Sequence, residues 1–180
     1  MLTLVFADCD MKVKPGVIDS NDSHPELVHF SLMLANESRL AEEKELKTIV
    51  HTRCGKIFWI EPDVDIPEKL GDFKKLLLEA VEGDPIKGLK YDQGLSLIDV
   101  LNLELGQKIV MSPHGERRNP FEFFKRSKDY VVVIGGFRND DFISPVYRWA
   151  DDSISISENL KKTWSVAAEV IVAYRGCSLE

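Results

Sequence analysis

Val131-Val132-Val133-Ile134-Gly135-Gly136-Phe137-Arg138-Asn139-Asp140-Asp141-Phe142 is the stretch on which the reading of this chain turns. A β-branched apolar run, long enough for one buried strand, stops at two glycines and then becomes acidic. β-Branched side chains suit a pleated, buried surface. Glycine permits a turn, or a close approach of backbone to a ligand, where a side chain would not fit. In open α/β sheets, ligands sit beyond the carboxyl ends of the strands. Gly135-Gly136 is therefore a candidate cofactor contact; a plain turn is the alternative.

Outward from this strand, the C-terminal half alternates regularly. A helix is predicted over residues 95–105, a strand over 108–112, and a short helix from Asn119-Pro120 to Arg126, with Asn as cap and Pro in the first turn. A further short helix is predicted from Ser144-Pro145 to Ala150, a strand over 153–157, and a helix over 164–175 with Trp164, Val166, Ala167, Val170, Ile171 and Tyr174 on its apolar stripe. Three strands thus end in polar loops: at Met111-Ser112-Pro113, at Gly135-Gly136, and at Ser157-Glu158-Asn159. The right-handed βαβ rule brings parallel strands side by side, so the three ends are expected to meet in one pocket.

The N-terminal half reads as a strand over 2–6, a helix after Pro25, a charged loop over 37–45, and a hairpin of strands 47–52 and 56–61 around Cys54-Gly55. An extended connector follows through Pro62 and Pro67. Leu70, Phe73, Leu76, Leu77 and Ala80 recur at helical spacing, predicting a helix over 68–82 that stops at Gly83. Residues 82–94 read as a turn-rich linker with a short strand at 86–89.

Bulk properties narrow the function. The 180 residues, 44% hydrophobic and 29% charged, fit one globular domain. No apolar run approaches the roughly 18 residues that span a bilayer, and the start of the chain reads as a first strand rather than a signal peptide. Cys9, Cys54 and Cys177 are odd in number and widely spaced, and no metal-ligand spacing links them to His24, His29, His51 or His114. Free thiols in a reducing cytoplasm are expected, with no metal. A net charge of −7 argues against broad nucleic-acid binding driven by phosphate neutralisation, but permits a local basic patch.

Five segments, taken in order, resemble the Nep/Emg family of ribosome-biogenesis methyltransferases, members of the SPOUT superfamily. They are His24-Pro25-Glu26-Leu27-Val28-His29-Phe30; Val50-His51-Thr52-Arg53; Ile60-Glu61-Pro62 with Ile66-Pro67; Val133-Ile134-Gly135-Gly136-Phe137 through Asp141-Phe142; and Ser155-Ile156-Ser157 leading into Trp164-Ser165-Val166. The resemblance covers nearly the whole chain, although the segment between Phe6 and His24 is shorter than in typical members. It implies an α/β fold, a SPOUT-type knot with a C-terminal trefoil knot and a mostly parallel sheet flanked by helices. It also implies S-adenosylmethionine as methyl donor, a small-subunit ribosomal RNA hairpin as substrate, methylation at ring nitrogen one of a pseudouridine, and a homodimer, with ribosomal proteins as further partners.

The resemblance carries cofactor contacts onto Met111, Gly135, Gly136, Asp140 and the loop Ile156, Ser157, Glu158, Asn159, Leu160 and Lys161. The family usually has glycine at Asp140 and Pro-Leu at Leu160-Lys161. On the RNA side, Arg-Pro-Asp of the family is here His24-Pro25-Glu26, and three RNA-binding arginines are replaced by Asp65, Glu68 and Asp72. Basic residues near that face are Arg53, Lys69, Lys74 and Lys75. A second cluster, Arg117, Arg118, Lys125, Arg126 and Lys128, reads equally as a solvated face.

A positioned carboxylate can take the proton that leaves the ring nitrogen. Glu26 is the candidate, with His24 to contact phosphate or base; Glu26 also suits a helix first turn on dipole grounds alone. The chain is expected to be one SPOUT domain over 1–180, with residues 1–94 facing RNA and 95–180 holding the cofactor. The alternatives are a knot methyltransferase for another RNA, a non-catalytic cofactor-binding ribosome-assembly factor, and a flavodoxin-like nucleotide-binding module.

Overall fold

The structure is a computed structural model that describes residues 1–19, 23–139 and 141–176. The N-terminal half contains β1 (Leu2–Cys9), β2 (Lys12–Lys14), β3 (Val17–Asp19), α1 (Pro25–Asn36), α2 (Arg39–Glu42), β4 (Leu46–Thr52), β5 (Ile57–Ile60), α3 (Leu70–Glu82) and β6 (Leu89–Asp92). The C-terminal half contains α4 (Leu97–Leu103), β7 (Gln107–Arg117), α5 (Pro120–Phe123), β8 (Tyr130–Gly135), α6 (Val146–Trp149), β9 (Asp152–Ser155) and α7 (Thr163–Gly176).

Seven strands form one sheet in the order β6-β5-β4-β1-β8-β7-β9. β4, β1, β8, β7 and β9 run parallel to one another, whereas β5 pairs antiparallel with β4, and β6 antiparallel with β5. β2 and β3 form a separate hairpin.

The alternation of side chains explains the layering. Along β1, Leu2, Leu4 and Phe6 point to one face, and Val5 and Ala7 to the other. β8 repeats the pattern, with Tyr130, Val132 and Ile134 against Val131 and Val133. The first face is covered by α1, α3 and α7, through Val28, Leu32, Phe73, Leu77, Val170 and Tyr174. The second is covered by α4 and α6, through Leu97, Val100, Leu101 and Val146. Both faces of the central strands are buried, which is why they read as continuous apolar runs.

Several expected boundaries moved. Residues 37–45 are not wholly loop: Ser38 caps α2 by accepting the Ala41 N–H. The strand expected at 86–89 lies at Leu89–Asp92, with Ile86 contributing an isolated bridge. The helix expected over 95–105 is shorter, opened at Ser96 by a capping box with Asp99. α3 ends where expected, because Gly83 takes a left-handed conformation (φ 94°). The β2–β3 hairpin was not anticipated; each strand is only three residues long.

The largest change is in β7. It was expected to stop at Ser112 but runs to Arg117. Its pairing with β9 slips between Met111 and Glu116, so that Ile154 pairs with both. Residues 112–115 form the intervening bulge, a place where proline is tolerated within a sheet.

Candidate functional site

The three strand ends converge as expected. A cavity enclosing about 660 Å³, part of it open to solvent, lies beyond the carboxyl ends of β7, β8 and β9. The β7 bulge contributes Met111, Ser112, Pro113 and His114; β8 and its exit contribute Ile134, Gly135 and Phe137. The loop after β9 contributes Ile156, Ser157, Asn159, Leu160 and Lys161, and α7 closes the floor with Thr163 and Val166. Asp141, Phe142 and Tyr147 form the remaining wall.

The cavity is held by local hydrogen bonds. Ser155 Oγ donates to the Ser157 carbonyl (2.7 Å), and the Asn159 N–H donates to Ser157 Oγ (3.2 Å). Thr163 Oγ1 donates to the Gly135 carbonyl (2.8 Å), pinning the start of α7 to the end of β8. The Phe142 ring packs edge-on against Phe137 (5.2 Å between centroids) and Tyr147 (5.6 Å). Tyr147 Oη donates to Asp141 Oδ1 (2.7 Å) and lies 3.0 Å from Ser112 Oγ. Burial, reinforced by the Asp141 charge, pushes the Tyr147 phenol above its usual range, so it stays a proton donor at neutral pH.

These residues fit a purine-bearing sulfonium ligand. Met111, Ile134, Ile154, Ile156, Leu160 and Val166 offer an apolar slot for a flat base. Ser112, Ser157 and Asn159 offer polar groups, and Asp141 puts a carboxylate at the cavity. At Gly135 a Cβ would come within 2.5 Å of the Phe137 ring, so any side chain there would displace that wall.

Of the cofactor residues named from sequence, Met111, Gly135, Ile156, Ser157, Asn159, Leu160 and Lys161 line the cavity. Gly136 lies behind it, against Cys9. The Glu158 side chain is turned out to an ion pair with Arg117. Asp140 lies outside the described residues. Ser112 lines it too, at the strand end expected to help form the pocket; Phe137, Phe142, Tyr147 and Thr163 were not expected as cofactor contacts. Phe137 and Phe142 stood in the decisive stretch, but nothing in its pattern distinguished a pocket wall from core.

A polar cluster connects to the cavity wall along the chain, through Arg138. His24 caps α1 without a side-chain cap bond, and Pro25 and Glu26 begin the helix. His24 Nδ1 lies 3.0 Å from Glu26 Oε1, and the Arg138 guanidinium lies 3.6 Å from the same oxygen. Arg138 follows Phe137, which lines the cavity. The Arg53 guanidinium sits over the Phe137 ring, 5.4 Å from its centroid. The backbone knits the corner together: the Asp10 N–H donates to the Gly136 carbonyl, the His24 N–H to Asp10, and the Arg53 N–H to Cys9.

The α3 side is more dispersed. His29 Nε2 donates to the Pro67 carbonyl (2.6 Å) and stacks on Phe73, which fixes the end of the connector against α1. Lys69 and Lys75 are exposed and Lys74 half-buried, with Lys75 paired to Asp72 at 3.1 Å. Asp65, Glu68 and Asp72 are exposed on the same segment. Among the described residues, no group of three or more His, Cys, Asp or Glu could hold a metal ion, and no helix is long and apolar enough to cross a membrane.

A mostly parallel sheet covered by helices, with a cavity at its last three parallel strands, is a fold this chain shares with solved methyltransferases. S-adenosylhomocysteine-bound Nep1 from Archaeoglobus fulgidus superposes with a TM-score of 0.81, covering 96% of both chains at 18% identity. The SpoU methyltransferase AviRb from Streptomyces viridochromogenes superposes at 0.54 over 97% of this chain and 58% of its own, at 13% identity. Within that class the chain belongs to the EMG1/NEP1 methyltransferase family, whose model matches residues 11–175. The ribosomal RNA small subunit methyltransferase Nep1 of Methanothrix thermoacetophila is 30% identical over 162 residues, 87% of this chain and 71% of the relative. Its namesake in Thermoplasma acidophilum is 30% identical over 155 residues, 83% and 69% respectively.

Proposed function

We propose that the protein transfers a methyl group from S-adenosylmethionine to small-subunit ribosomal RNA, at ring nitrogen one of a pseudouridine, during ribosome biogenesis. The observation that carries this reading is the cavity at the ends of β7, β8 and β9, whose Phe137 wall runs directly into Arg138 of the His24–Glu26–Arg138 cluster. The family assignment and the small-subunit RNA activity named for its relatives support it.

When bound, S-adenosylmethionine supplies a methyl group already activated on a positively charged sulfur. The work left to the chain is alignment, which contributes about 7–11 kcal/mol in favourable cases. Met111, Gly135 and the 156–161 loop hold the donor. Glu26, oriented by His24 and Arg138, accepts the proton that leaves the ring nitrogen. Arg53, Lys69, Lys74 and Lys75 contact RNA phosphate, and His24 contacts phosphate or base. All the cavity residues lie between positions 111 and 166. This supports a single domain in which residues 95–180 bind the donor and 1–94 face the RNA.

The chain knots in its C-terminal region. β9 lies outside β7, and the chain must come back past the end of β7 to pin Thr163 to Gly135, in support of that path. The protein is a homodimer of the cytoplasm, a compartment that keeps free thiols such as Cys9 and Cys54 reduced. The half-exposed Phe30 on α1 and Val172 on α7 support a dimer contact through these two helices.

The exposed acids at 65, 68 and 72 favour a second reading, a knot methyltransferase for another RNA. Methylation of a pseudouridine-containing small-subunit hairpin, with none of its uridine counterpart, supports the first reading. Methylation of a different RNA supports the second. Donor binding without methylation of total ribosomal RNA points instead to an assembly factor.

A further inference from the structure

Asp8 is a fully buried carboxylate with no part in the chemistry above. It stands at the carboxyl end of β1 with φ 50°, a left-handed conformation that L residues other than glycine, asparagine and aspartate rarely adopt. At this point the β1–β4 register slips, between Phe6 and Cys9. The buried charge is offset by bonds to one loop. Oδ2 accepts the backbone N–H groups of Ile143 and Ser144, each at 2.9 Å, and Oδ1 accepts the Ser144 hydroxyl at 2.7 Å. His51 Nδ1 lies 3.3 Å from Oδ1 and accepts the Asp8 backbone N–H, also at 3.3 Å.

Hydrogen bonds to an ionised group are roughly twice as strong as neutral ones, so three of them onto residues 143–144 clamp that loop. The clamped loop carries Asp141 and Phe142, which with Tyr147 make one wall of the cavity. The same residue also reaches the RNA side: the Asp8 carbonyl accepts Arg53 Nε–H at 3.3 Å. Asp8 is thus shared between the donor cavity and the Arg53–Phe137 corner beside it.

We infer that Asp8 is a positioning residue for methyl-donor binding: through Ser144 and Ile143, its carboxylate holds the Asp141–Phe142–Tyr147 wall at the distance the donor requires. This rests on the cavity being the donor site. Without the carboxylate, the 143–144 amides lose their acceptor, and the wall is free to move away from Ser112 and Phe137.

The test is calorimetric titration with S-adenosylhomocysteine, together with steady-state methylation kinetics, on wild type, Asp8→Asn, Ser144→Ala and Ser144→Thr. Ser144→Ala removes one clamp bond at a half-buried loop position, so it does not depend on tolerance of a core change. It is expected to weaken product binding and raise the donor KM by roughly tenfold, the scale of one lost charge-assisted bond. kcat and the RNA KM stay within about twofold, and Ser144→Thr, which keeps the hydroxyl, returns to wild-type values. Asp8→Asn has a larger effect of the same kind. Donor affinity unchanged in Ser144→Ala, or a loss seen in kcat or RNA KM instead, overturns the inference while leaving the donor site standing. A wild-type protein that binds no S-adenosylhomocysteine overturns both.

Discussion

Gly136 lies flat against Cys9: a Cβ on Gly136 would come within 2.3 Å of the Cys9 sulfur and 2.9 Å of its Cα. The contact joins the exits of β8 and β1, the two central parallel strands. Gly136→Ala is expected to cost about 1–3 kcal/mol, the usual range for overpacking a filled interior. Shrinking the partner with Cys9→Ala should recover only part of this, because the backbone Cα remains too close. Urea denaturation of the single and double variants measures both; full recovery in the double variant would contradict this account.

The same burial makes Cys9 inert. Its thiol is pushed well above its ordinary pKa by burial, with the Asp8 charge adding to the effect. Cys54 is exposed at the turn between β4 and β5. Iodoacetamide at mildly alkaline pH should therefore modify Cys54 in the native protein and Cys9 only after denaturation. Peptide mapping by mass spectrometry separates the two; early labelling of Cys9 would show that the β1 exit opens in the native state.

Asp8 also makes stability depend on acid. Burial alone would raise its carboxyl pKa, but the bonds from His51 and Ser144 outweigh it, and the net shift is downward. A carboxyl whose folded pKa is depressed contributes stability above its unfolded value, near 3.9, and loses it as pH falls through the folded value. Asp8→Asn should therefore be less stable than wild type at neutral pH, with the gap narrowing below about pH 4. Thermal melts at stepped pH follow the gap; one that stays constant down to acid would remove the charged form from the argument.

Glu26 and His24 have the clearest kinetic signature. If Glu26 takes the ring-nitrogen proton, Glu26→Gln should slow single-turnover methylation by about 100-fold or more. Binding of S-adenosylhomocysteine should stay close to wild type, since neither residue lines the cavity. His24→Ala should also slow the step, by releasing the Glu26 carboxylate from one of its two neighbours. Rates unchanged in both variants would assign Glu26 to helix capping alone.

For RNA, position should matter more than the number of charges. Arg53 sits at the Phe137 corner, whereas Lys75 is tied to Asp72 on an exposed helix face. Arg53→Glu is expected to weaken binding of a substrate hairpin more than Lys75→Glu does. It should also flatten the salt dependence by about one phosphate contact. Fluorescence anisotropy across a salt series gives both quantities; equal losses in the two variants would return α3 to the centre of the RNA face.

Much of the frame was legible because its causes are local. The Val131–Ile134 run, the 3.6-residue spacing of Leu70, Phe73 and Leu77, and the stop at Gly83 each follow from a few neighbouring residues. Boundaries failed where a distant partner intervened. β7 runs past Ser112 because β9 pairs with it again after a bulge, and nothing within 108–117 announces a slip decided by Ile154. Ser38 was readable as a cap, but the short helix behind it was masked by the charges of 37–45.

The strand ends and their glycine loop were written in the chain itself, since strand propensity, glycine punctuation and period-two burial act over a few residues. Where those ends meet, and what walls the space between them, was decided only by the tertiary structure. The clamp from Asp8 to Ser144 spans 136 positions, and the buried environment that makes those bonds strong does not exist until the sheet has assembled.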